Sequence, residues 1–217
     1  MKRSPSLFPI LAVIFTNILG ASMVLPILPL YATETFGASE FQAALLTSAF
    51  FGAQFLASSW LGQLSDRFGR RPVLMGSQVG TFLAFLMFVF SEEIGTALDI
   101  SGLSISMSGG LLILFSARIL DGLTGGNITS AQAYISDISS RKERTQSLGL
   151  LSAAMGTGFI IGPALGGLLA GLGVKAPFIG AAVITLGTAT LTFFTLRESL
   201  PPEKRMRKEK QEESFSW

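Results

Sequence analysis

Six runs of mostly apolar residues, separated by short polar segments, dominate the chain. They cover residues 7–31, 41–64, 72–90, 111–138, 148–172 and 177–196. Each is near or above the ~20 residues a helix needs to cross a hydrocarbon core about 30 Å thick. Helix is the element to expect, because an open sheet edge in lipid leaves backbone polar groups without partners. The pattern therefore predicts an all-α membrane protein: six transmembrane helices within residues 1–196, then a polar linker or tail at 197–217, solvated on the cytoplasmic side. The first run follows Met1-Lys2-Arg3 and imitates a signal peptide, but it is long enough to span and more spans follow, so it reads as an uncleaved first helix. The Ser- and Gly-rich stretch 91–110 is expected to be an outside loop. Its alternation Ile-Ser-Gly-Leu-Ser-Ile-Ser-Met at 100–107 predicts a short strand or an interfacial piece.

Charge adds an orientation. Lys2 and Arg3 precede span 1, Arg67, Arg70 and Arg71 follow span 2, Arg141, Lys142 and Arg144 follow span 4, and Arg197 with the basic residues of 204–210 follows span 6. The opposite side carries Glu34, Glu40, Glu92, Glu93 and Asp99, with Lys175 as its one basic residue. Positive loops stay inside, so a multi-pass protein of the cell membrane with both termini cytoplasmic is expected. Composition narrows the chemistry. The chain is 49% hydrophobic and 14% charged, with neither Cys nor His. Disulfides, thiolate metal sites and imidazole proton carriers are excluded, and proton handling falls to carboxylates. The spans hold no nucleophile–base pair or metal-ligand set, so neither an enzyme nor a cofactor is expected, and nucleic acid is not an expected partner.

Three constellations carry chemistry. The loop Gly62-Gln-Leu-Ser-Asp-Arg-Phe-Gly-Arg-Arg-Pro72 leaves one span and at once enters the next. Gly62 and Asp66 share a face, Asp66 can pair with Arg70 or meet a helix N-terminus, and Gly69 suits a tight turn. A short basic turn that only sets topology fits each residue singly. In span 4, Arg118 and Asp121 are spaced to meet, and an unpaired charge at mid-membrane is expensive. At 100° per residue Arg118, Asp121, Gly125, Thr129, Gln132 and Ser136 form one polar stripe, either a cavity wall or a buried seam between helices. In span 5, Gly158, Gly162 and Gly166 recur every fourth residue beside Pro163, a close-packing face with a bend. Asn17 in span 1 is a further polar candidate, for substrate contact or for a single interhelical hydrogen bond, and Gln54 shares one polar face of span 2 with Thr47 and Ser58.

The complete spacing at 62–71, G-x-L-x-D-R-x-G-R-R, resembles the loop signature between helices 2 and 3 of the major facilitator superfamily. Arg118-Ile-Leu-Asp-Gly-Leu-Thr-Gly-Gly126 is similar to its helix-4 motif R-x-x-x-G-x-x-G, and Gly158 to Gly167, G-x-x-x-G-P-x-x-G-G, resembles the motif that marks exporters. Pro26 and Pro29, and Arg-Glu-Ser-Leu-Pro-Pro at 197–202, resemble the tetracycline-type multidrug efflux group. The resemblance implies the N-terminal six-helix half of a two-half fold, built from 3+3 inverted repeats. It implies secondary active efflux of small amphipathic compounds by drug:proton antiport, with the proton gradient as driving force and alternating access as mechanism. Gly62, Asp66, Arg67, Gly69, Arg70 and Arg71 would form the gate. Asn17, Gln54, Arg118, Asp121 and Gln132 would line the cavity and handle protons. Gly158, Gly162, Pro163, Gly166 and Gly167 would form the antiporter element. The implied partners are a small-molecule substrate, the bilayer, and a second six-helix half or self-association. Two features depart from the group: Asp121 stands where drug antiporters often have an uncharged residue, and span 1 has no acid before Glu34. A facilitator or importer of a polar metabolite, and a non-transporting fragment or assembly partner, are the alternative readings.

Overall fold

The computed structural model describes residues 7–100, 107–203 and 205. Their helices are α1 (Leu7–Val24), α2 (Ile27–Phe36), α3 (Glu40–Phe68), α4 (Arg70–Val89), α5 (Ser91–Ile100), α6 (Gly109–Gly125), α7 (Ile128–Ile138), α8 (Arg144–Ala170) and α9 (Ala176–Thr195). Six candidate spans result, with α1–α2 as span 1, α3 as span 2, α4 as span 3, α6–α7 as span 4, α8 as span 5 and α9 as span 6. No strand occurs among the described residues.

Local chemistry sets the boundaries. Pro26 has no N–H to continue α1, so span 1 breaks there and restarts as α2. Gly37, at φ 64°, closes α2 in the left-handed conformation. Ser39 then opens α3 through a capping box with Gln42. Ser108 caps α6 by accepting from the Leu111 amide. Span 4 breaks between α6 and α7, and its freed carbonyls find side chains. Gln54 Nε2 donates to the Gly125 carbonyl at 3.1 Å, and the Thr129 hydroxyl reaches the Gly126 carbonyl at 3.1 Å and that of Ser58 at 3.2 Å. Such repair is what allows a helix to be interrupted inside a membrane.

The packing has an internal symmetry. α1 packs on α8 and α9, α6 packs on α3 and α4, and α4 packs on α9. Exchanging spans 1, 2 and 3 for spans 4, 5 and 6 maps this set of contacts onto itself. The first helix of each triplet is also broken at a matching place, after 18 residues in α1 and 17 in α6. The expected all-α fold of six spans in two three-helix repeats is therefore borne out. Its main apolar core joins Val24, Leu28, Tyr31, Phe85, Phe88, Leu114 and Phe178, and a second core joins Ile10, Ile14, Leu74, Tyr134 and Leu151. Spans 2 and 5 bury the least, leaving Phe55, Trp60, Phe159 and Ile160 exposed.

Two expectations change. Residues 91–100 of the supposed loop are helix α5, whose first turn carries Glu92 and Glu93 where a helix N-terminus favours acids. The strand proposed for 100–107 falls mostly outside the described residues. α5 is tied down at its start: Tyr31 donates to Glu92 at 2.9 Å, and Lys175 pairs with Glu92 at 3.2 Å and Glu93 at 3.1 Å. Burial pulls the Lys175 ammonium down, but the hydrogen bonds to Glu93 and Glu92 outweigh it and hold the group above its usual range. The second change is in the linker. Its first residues are not a solvated strand of chain but part of the bundle, with Leu200 buried and Glu198 and Ser199 half-buried.

Candidate functional site

The loop signature builds a charged cluster at one end of the bundle. Arg70 is buried and reaches three partners: Asp66 at 2.5 Å, Asp137 of α7 at 3.1 Å and the Ser65 hydroxyl at 2.9 Å. One guanidinium thus ties spans 2, 3 and 4 together, and its rigid fork of donors suits three acceptors. Glu198, after span 6, accepts from the backbone amides of Arg70 at 2.9 Å and Arg71 at 3.3 Å. These are unsatisfied donors of the α4 N-terminus, where a carboxylate is favoured. Arg205 pairs with Glu198 at 3.2 Å, and Ser199 donates to Asp137 at 3.1 Å. Arg71 donates to the Phe193 carbonyl at 2.6 Å. Arg67 lies outside this cluster's core, exposed and over the Phe68 ring. Asp137, Glu198 and Arg205 were not legible as members, because their proximity is set by folding rather than by spacing.

Gly69 explains its own place in the motif. Its φ of 111° is closed to most side chains, and a Cβ there would run into the Glu198 carboxylate and the Arg205 guanidinium. Gly69→Ala should displace Glu198 from the α4 N-terminus and lower stability by about 1–3 kcal/mol. Thermal unfolding in detergent measures this, and an unchanged midpoint would show that the cap contributes nothing. Gly62 is less demanding: a Cβ there would meet only the Thr129 hydroxyl, at 3.8 Å.

The second constellation lies within the membrane. Arg118 and Asp121 are each 1% exposed and meet at 3.3 Å. The guanidinium also lies 5.3 Å from the ring centres of both Phe50 and Phe88. A cavity of about 50 Å³ is lined by Asn17, Gln54, Asp121, Phe50, Phe51 and Phe159, among others. It brings three of the sequence candidates together. Arg118 is not among its lining residues, so Asp121 presents the charge and Arg118 stands behind it. Asn17 is 7% exposed and its amide nitrogen has no protein partner. Gln54 spends its amide on the span 4 break. Gln132 is exposed and does not line this cavity, because the break between α6 and α7 ends the straight projection that placed it on the stripe.

The third constellation is a seam between α8 and α1. A Cβ on Gly158 would lie 3.1 Å from the Phe15 carbonyl, on Gly162 it would overlap the Ser22 hydroxyl, and on Gly166 it would overlap the Met23 carbonyl. The Ser22 hydroxyl donates to the Gly158 carbonyl at 3.0 Å across this seam. Pro163 and Gly167 are exposed on the other side of α8, and the helix runs through Pro163 without interruption. A matching close approach joins spans 2 and 4, where Gly122 abuts Phe50 and Ala53, and Gly126 abuts Ser58 and Leu61. Their spacing of four residues was the available signal.

A family model described as Major Facilitator Superfamily matches residues 10–217. The chain is 33% identical over 207 residues to the tetracycline resistance protein, class C, of Escherichia coli, covering 94% of the chain and 48% of that protein. It is 36% identical over 197 residues to multidrug resistance protein 2 of Bacillus subtilis (strain 168), covering 90% and 45%. The chain thus spans about half the length of the curated relatives it matches. Among solved structures, the human organic anion transporter MFSD10 (TETRAN) superposes with a TM-score of 0.71 at 24% identity, over 92% of this chain and 49% of that one. With its six spans, paired triplets and signature loop, the chain belongs to the Major Facilitator Superfamily.

Proposed function

We propose that the chain is the N-terminal half of a drug:proton antiporter, which exports small amphipathic compounds across the cell membrane by alternating access. The observation that carries this reading is a carboxylate, Asp121, facing a membrane-embedded cavity whose other walls include Asn17 and Gln54, the aromatic residues Phe50, Phe51 and Phe159, and aliphatic residues such as Ile18 and Leu25. Aromatic walls with a few polar groups suit an amphipathic solute. The relatives named for tetracycline and multidrug resistance support the direction of transport.

The residues divide the work as follows. A proton on Asp121 neutralises the carboxylate and weakens its hold on Arg118, so protonation and substrate compete for one polar wall. Inward proton flow drives the cycle, with no cofactor. α8 grips α1 along its glycines, so a tilt of span 5 carries the Asn17 wall of the cavity with it. The Arg70 cluster ties spans 2, 3 and 4 at the basic end and acts as the gate on that side. The basic loops and both termini lie in the cytoplasm. A second six-helix half, or a second copy, supplies the facing wall of the cavity.

Two measurements test this. A Cys placed at exposed Ser140 should resist an impermeant reagent applied to intact cells, and one at exposed Glu34 should react. The reverse result overturns the orientation. Liposomes holding the chain with a six-helix partner should expel dye when a proton gradient is imposed, and liposomes holding a proven monomer of the chain should not. Efflux by the monomer would refute the need for a second half, and efflux indifferent to the gradient would refute antiport.

A further inference from the structure

The interface between spans 3 and 4 contains a line of buried polar groups that neither the cavity nor the gate uses. Two rungs fix its register. Near the cavity, the hydroxyls of Thr81 and Thr124 meet at 3.1 Å, and the Thr124 hydroxyl also reaches the Asp121 backbone carbonyl at 3.3 Å. At the basic end, Arg70 meets Asp137 at 3.1 Å. The two spans are antiparallel, so the same register sets Gln78 level with Asn127 and Ser77 level with Ser130. Gln78 and Ser130 are 0% exposed, Asn127 is 1% and Ser77 is 3%. None of the four lines the cavity. The Gln78 amide nitrogen and oxygen, the Asn127 amide nitrogen and the hydroxyls of Ser77 and Ser130 all lack a protein hydrogen-bond partner.

Polar groups in that position cannot be indifferent. Each unsatisfied one costs several kcal/mol in a membrane interior, and buried water is the usual remedy where two to four polar partners converge. We propose that the seam between spans 3 and 4 holds a file of water molecules joining Asp121 to the Arg70–Asp137 cluster, and so gives the membrane-embedded carboxylate a proton route inside one six-helix unit. The route is ~24 Å long, from the 16 residues separating Asp121 and Asp137 at about 1.5 Å each.

The file itself needs only the geometry. Its use as a proton route rests on the antiport reading above. Transfer is a relay: the O–H bond on Asp121 breaks as one forms on the adjacent water, each water passes on a different proton, and the last is released to solvent beside Asp137, whose side chain is 26% exposed. The titratable and charged groups along the path are Arg118 and Asp121 at one end and Tyr134, Arg70, Asp66, Asp137 and Glu198 at the other. Span 3 contributes none between Arg71 and its end at Val89. Tyr134, in one apolar cluster with Leu74 between the two ends and 1% exposed, is a natural reporter of passing water.

X-ray radiolysis of the chain in lipid nanodiscs, in ¹⁸O-labelled water, tests the file. Hydroxyl radicals form from waters in place and add to an aromatic ring, dissolved oxygen then removing the displaced hydrogen, so Tyr134 should gain ¹⁸O despite burial, and the Gln78→Met, Asn127→Leu double variant should lose that label. An unlabelled Tyr134, at a dose that labels exposed Phe68, would overturn the file whatever the variant does. The route is tested separately, with the six-helix partner present. The double variant should slow proton-driven efflux about tenfold or more, with dye binding unchanged. Labelled water with unaltered coupling would leave the seam hydrated and refute the route. Efflux that ignores the proton gradient in the parent protein would refute antiport and the route together, with the labelling result still deciding the file.

Discussion

Replacing Gly162 with alanine should destabilise the bundle more than any other single-methyl change on α8. The added Cβ would overlap the Ser22 hydroxyl and sit 2.9 Å from the Leu19 carbonyl. Ser22 cannot rotate away freely, because its hydroxyl already serves the Leu19 carbonyl at 3.1 Å and the Gly158 carbonyl at 3.0 Å. The helices must therefore separate, at a loss of about 1–3 kcal/mol for alanine, and leucine should abolish folding. Gly167 supplies the internal control. It lies on the same helix with nothing within 4 Å of a would-be Cβ. Gly167→Ala should be neutral or slightly stabilising, since alanine is the better helix former. Thermal unfolding and folded yield of the two variants in detergent settle the matter. Equal midpoints would show that the α1–α8 seam is not what sets the packing.

That contrast shows what the sequence could and could not reveal. The repeat of Gly158, Gly162 and Gly166 announced a packing face because a helix puts every fourth residue on one side. The motif also enrolled Pro163 and Gly167, and pattern alone could not say that both look away from α1. The same holds along span 4. Arg118 and Asp121 were legible as a pair from their spacing, but Gln132 was placed on their stripe by assuming one straight helix. Gly125-Gly126-Asn127 interrupts it, and the buried polar line continues through Asn127 and Ser130 instead. Spans, their number and the charged loop were readable because hydropathy and charge act locally. Asp137, Glu198 and Arg205 were not assignable to the Arg70 cluster, since they lie in span 4 and after span 6, far along the chain from Arg70, and only the packing of spans 3, 4 and 6 brings them together.

Arg118 and Asp121 should behave as one unit, and unequally. A lone guanidinium has no way to discharge itself, whereas a lone carboxylate can take up a proton. Arg118 Nε and Nη2 already lack protein acceptors, so its charge leans on Asp121 and on the faces of Phe50 and Phe88. Asp121→Asn should therefore lower stability by about 3–5 kcal/mol, as removing one partner of a buried pair does, and Arg118→Met should lower it less. The double variant, which leaves no buried charge, should be more stable than Asp121→Asn alone. The expected coupling is about 1–3 kcal/mol. Unfolding midpoints of the four proteins complete the cycle. Purely additive losses would mean that the two charges do not sense each other. A larger loss for Arg118→Met would mean that the aromatic faces hold the guanidinium better than Asp121 does, and that the carboxylate at the cavity is the member in need of support.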